Sequence, residues 1–88
     1  MHLGKVAGTV TATAKDAKLV GSKLLVTDLV DGTGKLIDPA RVAVDTCGAG
    51  VGDTVLVVTG SAARMAAGLS TVPVDLAIVA VVDRVSIT

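Results

Sequence analysis

Alternation with a period of two is the strongest constraint on this chain. Over residues 5–13, Val6, Gly8, Val10 and Ala12 fall on one face and Ala7, Thr9, Thr11 and Thr13 on the other, as in a half-buried strand. Similar runs recur at 23–30 (KLLVTDLV), 41–46 (RVAVDT), 53–60 (DTVLVVTG) and 74–87 (VDLAIVAVVDRVSI). The last run is apolar at every central position, as expected of a strand covered on both faces. Valine and threonine are abundant and glutamate is absent, which favours strands over helices.

Turn chemistry separates these runs. Residues 14–22 (AKDAKLVGS) read as a polar loop, and 31–40 (DGTGKLIDPA) as an exposed loop or small hairpin. Only 61–68 (SAARMAAG) breaks the strand rhythm: Ser61 can cap a short helix and Gly68 can close it. Five strands with one short helix between the fourth and fifth predict a mainly β chain, a small, partly closed barrel of the OB type. Closure also hides the edges that so valine-rich a chain would otherwise offer for aggregation.

The length of 88 residues fits one domain, and a lone subunit of this size has thin net stability. Disulfides within the chain cannot add to it, because Cys47 is the only cysteine. His2 is the only histidine and no residues have ligand spacing, so neither metal nor cofactor is expected. Oligomerisation remains as the supplement. Formal net charge is zero and there is no Phe, Tyr or Trp, which argues against a nucleic-acid partner, since such binders use basic excess and stacking platforms. The start of the chain lacks a signal-peptide pattern, and its longest apolar run (76–82) is too short to span a bilayer. No membrane partner and a cytoplasmic location are therefore expected.

Three glycines crowd the stretch 48–52 (GAGVG), between two apolar runs. A phosphate-binding loop is excluded by context: the element after it is a strand, and Asp53 follows where a lysine would stand. A hairpin connection between the third and fourth strands would use one or two glycines for positive φ. A third glycine fits a place where several backbones approach closely.

The stretch 42–64 (VAVDTCGAGVGDTVLVVTGSAAR) resembles the signature of the pentameric vertex proteins of bacterial microcompartments, with its Asp-Thr, Gly-Ala-Gly, Val-Leu-Val and Gly-Ser-Ala-Ala-Arg. Residues 4–26 (GKVAGTVTATAKDAKLVGSKLLV) and 72–85 (VPVDLAIVAVVDRV) resemble the same family's opening and closing segments. Cys47, where a small aliphatic residue is common, and Ala80, where glycine is frequent, depart from the pattern.

The resemblance implies an OB-like barrel that closes into a homopentamer, lies in a microcompartment shell and supplies curvature to sheets of hexameric shell proteins. It implies structural work and no enzyme activity. Gly48, Ala49, Gly50, Val51 and Gly52 would converge near the five-fold axis. Lys15, Lys23, Asp45, Ser61, Arg64 and Asp83 become candidates for subunit or shell contacts, although each has an ordinary role as a solvated or turn residue. Cys47 reads as a small buried or half-buried hydrophobe. Two rival functions are an OB-type module for single-stranded nucleic acid and a small-molecule barrel. The first lacks aromatics and positive charge, and the second lacks convergent polar groups.

Overall fold

The protein is described by a computed structural model over residues 1–13, 17–19, 21–66 and 74–87. Strand β1 (His2–Val10) leads through a 3-10 turn at Ala17–Leu19 to β2 (Lys23–Val30), which folds back into β3 (Leu36–Asp45). Then come β4 (Thr54–Thr59), helix α1 (Gly60–Ala66) and β5 (Leu76–Val81). The strands close into a barrel in the order β1-β2-β3-β5-β4. Among the described residues the five predicted strands and the predicted short helix are present.

The barrel is sealed at two unequal places. β1 pairs antiparallel with β4 over four residues, His2↔Val57 to Lys5↔Thr54. β3 meets β5 in parallel at only two pairs, Val44↔Ala77 and Asp45↔Ile78. Thr46 reinforces that seam by donating both its backbone N–H (3.2 Å) and its hydroxyl (2.7 Å) to the Ile78 carbonyl.

Inside the barrel, Val6, Leu25, Leu29, Ala43, Ala49, Val55, Val57, Leu76 and Ile78 form one apolar cluster. A second lies outside the wall, where Ala63 of α1 covers Val44, Val74 and Ala77, with Leu19, Leu24 and Val58 around it. β5 is thus covered on both faces over Leu76–Ile78, whereas Val79 and Ala80 are half-buried and Val81 is exposed, so its unbroken apolar centre predicts more cover than the strand has.

Gly4 is needed for inner packing: a Cβ there would sit 2.7 Å from Thr27 Cγ2 and 3.3 Å from the Asp28 carbonyl. Thr27 is fully buried and the carbonyl belongs to the barrel wall. Gly4→Ala is expected to cost about 1–3 kcal/mol by overpacking, read as a lower midpoint in chemical denaturation with an unchanged slope.

Several boundaries differ from expectation, each for a physical reason. β1 starts at His2 because its first residues find a partner in β4. A register shift between Val6 and Gly8 puts Val6 opposite Thr27 but Gly8 opposite Val26, so Val6 and Gly8 do not share the face that alternation predicts. β3 begins at Leu36, not at 41, because residues 31–35 make a tight hairpin turn. There Asp31 Oδ1 accepts the N–H of Thr33 (2.8 Å), the N–H of Lys35 (3.0 Å) and the Thr33 hydroxyl (2.6 Å).

β3 tolerates Pro39 through a bulge. Ala40 takes a left-handed φ of 56° and donates its N–H to Asp28 Oδ1 at 2.8 Å. β5 reaches β3 only at Val44 and Asp45, so Pro39 interrupts no ladder on that side.

The fifth strand ends at Val81 instead of running to 87. The Val82 N–H still bonds the Thr54 carbonyl at 2.7 Å, but Val85 and Ile87 are exposed and unladdered. Helix α1 begins at Gly60, one residue before the expected cap Ser61. Its expected terminator Gly68 lies outside the described residues.

Candidate functional site: the loop from β3 to β4

The glycine stretch is not a hairpin turn. β3 pairs with β2 and β5, and β4 with β1 and β5, so residues 46–53 run across the end of the barrel past β5. Both ends are tied down. Thr46 holds the β5 side, as above. On the other side the Gly52 N–H bonds the Val6 carbonyl (2.9 Å) and the Val6 N–H bonds the Asp53 carbonyl (3.0 Å).

The five residues of the stretch have different duties. Ala49 is fully buried and its methyl belongs to the inner core. Gly48 and Gly52 have φ of 79° and 92°, a conformation that side chains with a Cβ rarely adopt. Gly50 has neither reason to be glycine within the subunit. Its φ is not left-handed, and a Cβ there would find its nearest neighbour, Asp53 Oδ2, at an ordinary 3.8 Å. Val51 at the tip is 63% exposed.

Two aspartates brace the loop from its flanks. Asp53 Oδ2 accepts the Gly50 N–H at 2.8 Å. Asp45 Oδ1 accepts the Cys47 N–H at 3.1 Å, and its other oxygen lies 3.4 Å from Lys23 Nζ. Lys23 also donates to the Ala49 carbonyl at 2.5 Å. The Asp45 side chain is only 2% exposed, against 51% for Lys23. Burial pushes the Asp45 carboxyl up, but the Cys47 and Ala49 N–H groups and the Lys23 ammonium outweigh it and leave its pKa below the ordinary 3.8.

The sign of the resulting pH dependence follows. The ionised Asp45 contributes stability above the unfolded value, and that contribution is lost as pH falls through the lower folded value. Asp31, acidified mainly by the Thr33 hydroxyl and the turn N–H groups, acts in the same direction. The melting temperature is expected to hold from neutrality to about pH 5 and to drop below about pH 4. Asp45→Asn should remove part of that drop; an identical acid profile in the variant would contradict the assignment.

Cys47 is exposed, contrary to the buried or half-buried position expected for a small hydrophobe. It sits on the turn that follows Asp45, and its Sγ lies 3.7 Å from Asp45 Oδ1. Partial burial first, and then the charge and hydrogen bonding of Asp45, raise the thiol's pKa above 9.0, which suppresses the reactive thiolate.

Among the sequence candidates, Lys23 and Asp45 come together and with Gly48–Gly52 form one site. Ser61 is exposed and Arg64 half-buried on α1, and Asp83 is exposed beyond β5; the described contacts bring none of them to the loop. Lys15 lies outside the described residues. Sequence reasoning missed the mutual pairing of Lys23 and Asp45, which their places at the start of β2 and the end of β3 make directly opposite, and the bracing role of Asp53. Among the described residues, no three His, Cys, Asp or Glu side chains gather to hold a metal ion, and no helix is long and apolar enough to cross a membrane.

Residues 1–83 match the family described as "Ethanolamine utilisation protein EutN/carboxysome". The chain belongs to this family of microcompartment shell vertex proteins. It is 47% identical over 87 residues to the shell vertex protein GrpN of Rhodospirillum rubrum, covering 97% of this chain and 96% of that one. It is 46% identical over 88 residues to the carboxysome shell vertex protein CcmL of Nostoc, covering 99% and 87%. The solved structure of GrpN, a pentameric microcompartment shell protein from Rhodospirillum rubrum, superposes with a TM-score of 0.89 at 42% identity, covering both chains fully.

Proposed function

We propose that five copies of this chain close into a head-to-tail ring that caps the vertices of a polyhedral bacterial microcompartment in the cytoplasm. Sheets of hexagonal tiles are flat, and a five-fold unit at each corner provides the curvature that hexameric shell proteins alone lack. The task is geometric, with no chemical step and no nucleic-acid partner.

The observation that carries this reading is Gly50. Within one subunit the position has room for a Cβ, and its φ is not left-handed. A glycine that the subunit itself does not call for fits a place where copies of the 48–52 loop crowd around an axis. A cyclic ring brings one loop from each subunit to such a place. The exposed positions Ser61 and Asp83, the half-buried Arg64, and Lys15 are assigned to subunit or shell contacts on the same reading.

Native mass spectrometry of the purified chain tests the ring. Five subunits of 8.6 kDa give about 43 kDa for a closed cycle, and a monomer at micromolar concentration would overturn the proposal. Co-assembly with hexameric shell proteins tests the cap: closed particles are expected with this chain and open sheets or tubes without it. Closed shells forming equally well in its absence would remove the vertex role.

A further inference from the structure

We propose that Lys23 and Asp45 are positioning residues that act within one subunit as a latch, setting the glycine loop in the shape from which the ring is built. This rests on the reading that the loop meets its copies at the axis, and it adds what holds the loop ready for them.

The geometry is specific to this pair. Lys23 and Asp45 face each other at the end of the β2–β3 ladder, the last rung before the loop. From there both reach the same short piece of backbone. Asp45 accepts the Cys47 N–H and faces the N–H of Ala49; Lys23 donates to the carbonyl of Ala49. Ala49 is thereby held from the polar side while its methyl is buried in the barrel core.

The residue after this anchor is Gly50, whose N–H is taken by Asp53, and then comes the exposed Val51. The latch thus fixes the piece of chain on which the exposed tip stands. A loop pre-shaped in this way loses less conformational freedom when subunits meet, so the ring forms at lower concentration. Lys23 suits the role because charge-assisted hydrogen bonds are stronger than neutral ones, and because its stem can run along the wall while the ammonium reaches Ala49.

The test replaces the charge and keeps the stem. Lys23→Met retains the apolar length and loses the ammonium; Lys23→Arg restores a cationic donor. Two quantities are read on the intact chain: the concentration at which the ring half-dissociates, and amide hydrogen exchange along residues 46–50, with Leu25 and Val26 as an internal reference. In Lys23→Met, exchange at Cys47 and Ala49 is expected to rise about tenfold or more while the reference amides do not change, as for a local opening. The half-dissociation concentration is expected to rise by a similar factor, and Lys23→Arg to recover much of both.

Unchanged exchange at Cys47 and Ala49 overturns the latch, including the case where the ring weakens regardless, which would place Lys23 in a contact between subunits. Faster exchange with an unchanged ring overturns its part in assembly. The axial reading itself is judged by Gly50→Leu: a ring that survives that change sinks the axis, whereas a ring lost in Gly50→Leu but intact in Lys23→Met sinks the latch alone.

Discussion

Gly50→Leu is expected to leave a folded subunit that no longer makes a ring. The subunit has room where the side chain begins: the new Cβ would meet only Asp53 Oδ2, at 3.8 Å, and φ is not left-handed. Thermal unfolding measured on the isolated subunit should therefore stay within about 0.5 kcal/mol of the unsubstituted chain, the range of a surface change away from special features. In the ring the same side chain would be multiplied by five at one axis, where small misfits add and cannot be relieved in any one subunit without disturbing the next. The expected native mass falls from about 43 kDa to that of the subunit. Gly48 and Gly52 would not give so clean an answer. With φ of 79° and 92°, a side chain there strains the backbone by about 1–2 kcal/mol before any neighbour is met. A Gly50→Leu chain that runs as an unchanged pentamer would show that the axis is not where this loop lies.

The largest loss of subunit stability is expected from Leu25→Ala. Leu25 is fully buried and is among the largest side chains in the barrel's interior, and with no aromatic residue in the chain no bulky neighbour can swing in to fill the space. Truncation of a buried leucine costs about 2–5 kcal/mol, transfer and cavity together. A domain of this size has a total stability of only about 4–13 kcal/mol. The variant should thus unfold, as a dilute monomer, at a markedly lower denaturant concentration than the unsubstituted chain, read by circular dichroism. A loss below about 1 kcal/mol would mean that the aliphatic core collapses around the gap far better than a close-packed interior does.

Legibility in the sequence differed sharply from strand to strand. β2 was read at its observed limits, because Lys23–Val30 alternates between barrel interior and outer wall and is bounded by turn residues on both sides. β3 was read five residues short. Pro39 and the preceding glycines signal a loop, and only the contact between Asp28 and the Ala40 N–H, twelve residues apart, lets the strand pass through them. β5 was read too long for the opposite reason. Val85 and Ile87 have the composition of a strand, but the β4 ladder ends opposite Val81, and composition carries no information about where a partner stops.

The site shows the same division. That 48–52 is exceptional follows from its glycines, and its likeness to vertex proteins was visible in the motif order. That it crosses the barrel end instead of turning a hairpin depends on strand order, which local spacing does not encode. The bond from Lys23 to Ala49 spans 26 residues and appears only once β2 and β3 are in register. Cys47 was misplaced as buried because its small apolar character was read without the turn that Asp45 imposes.

The two-pair seam between β3 and β5 has a consequence for how this protein resists heat. It joins residues more than thirty apart, so closing it costs more chain entropy than pairing β2 with β3 through a tight turn. The loop that leaves the seam at Thr46 is also the one assigned to the ring axis. Each neighbour that engages this loop therefore staples the place where the barrel is most easily opened. Because that help comes from another molecule, it obeys mass action: the melting temperature climbs with protein concentration, and dilution alone is a denaturant.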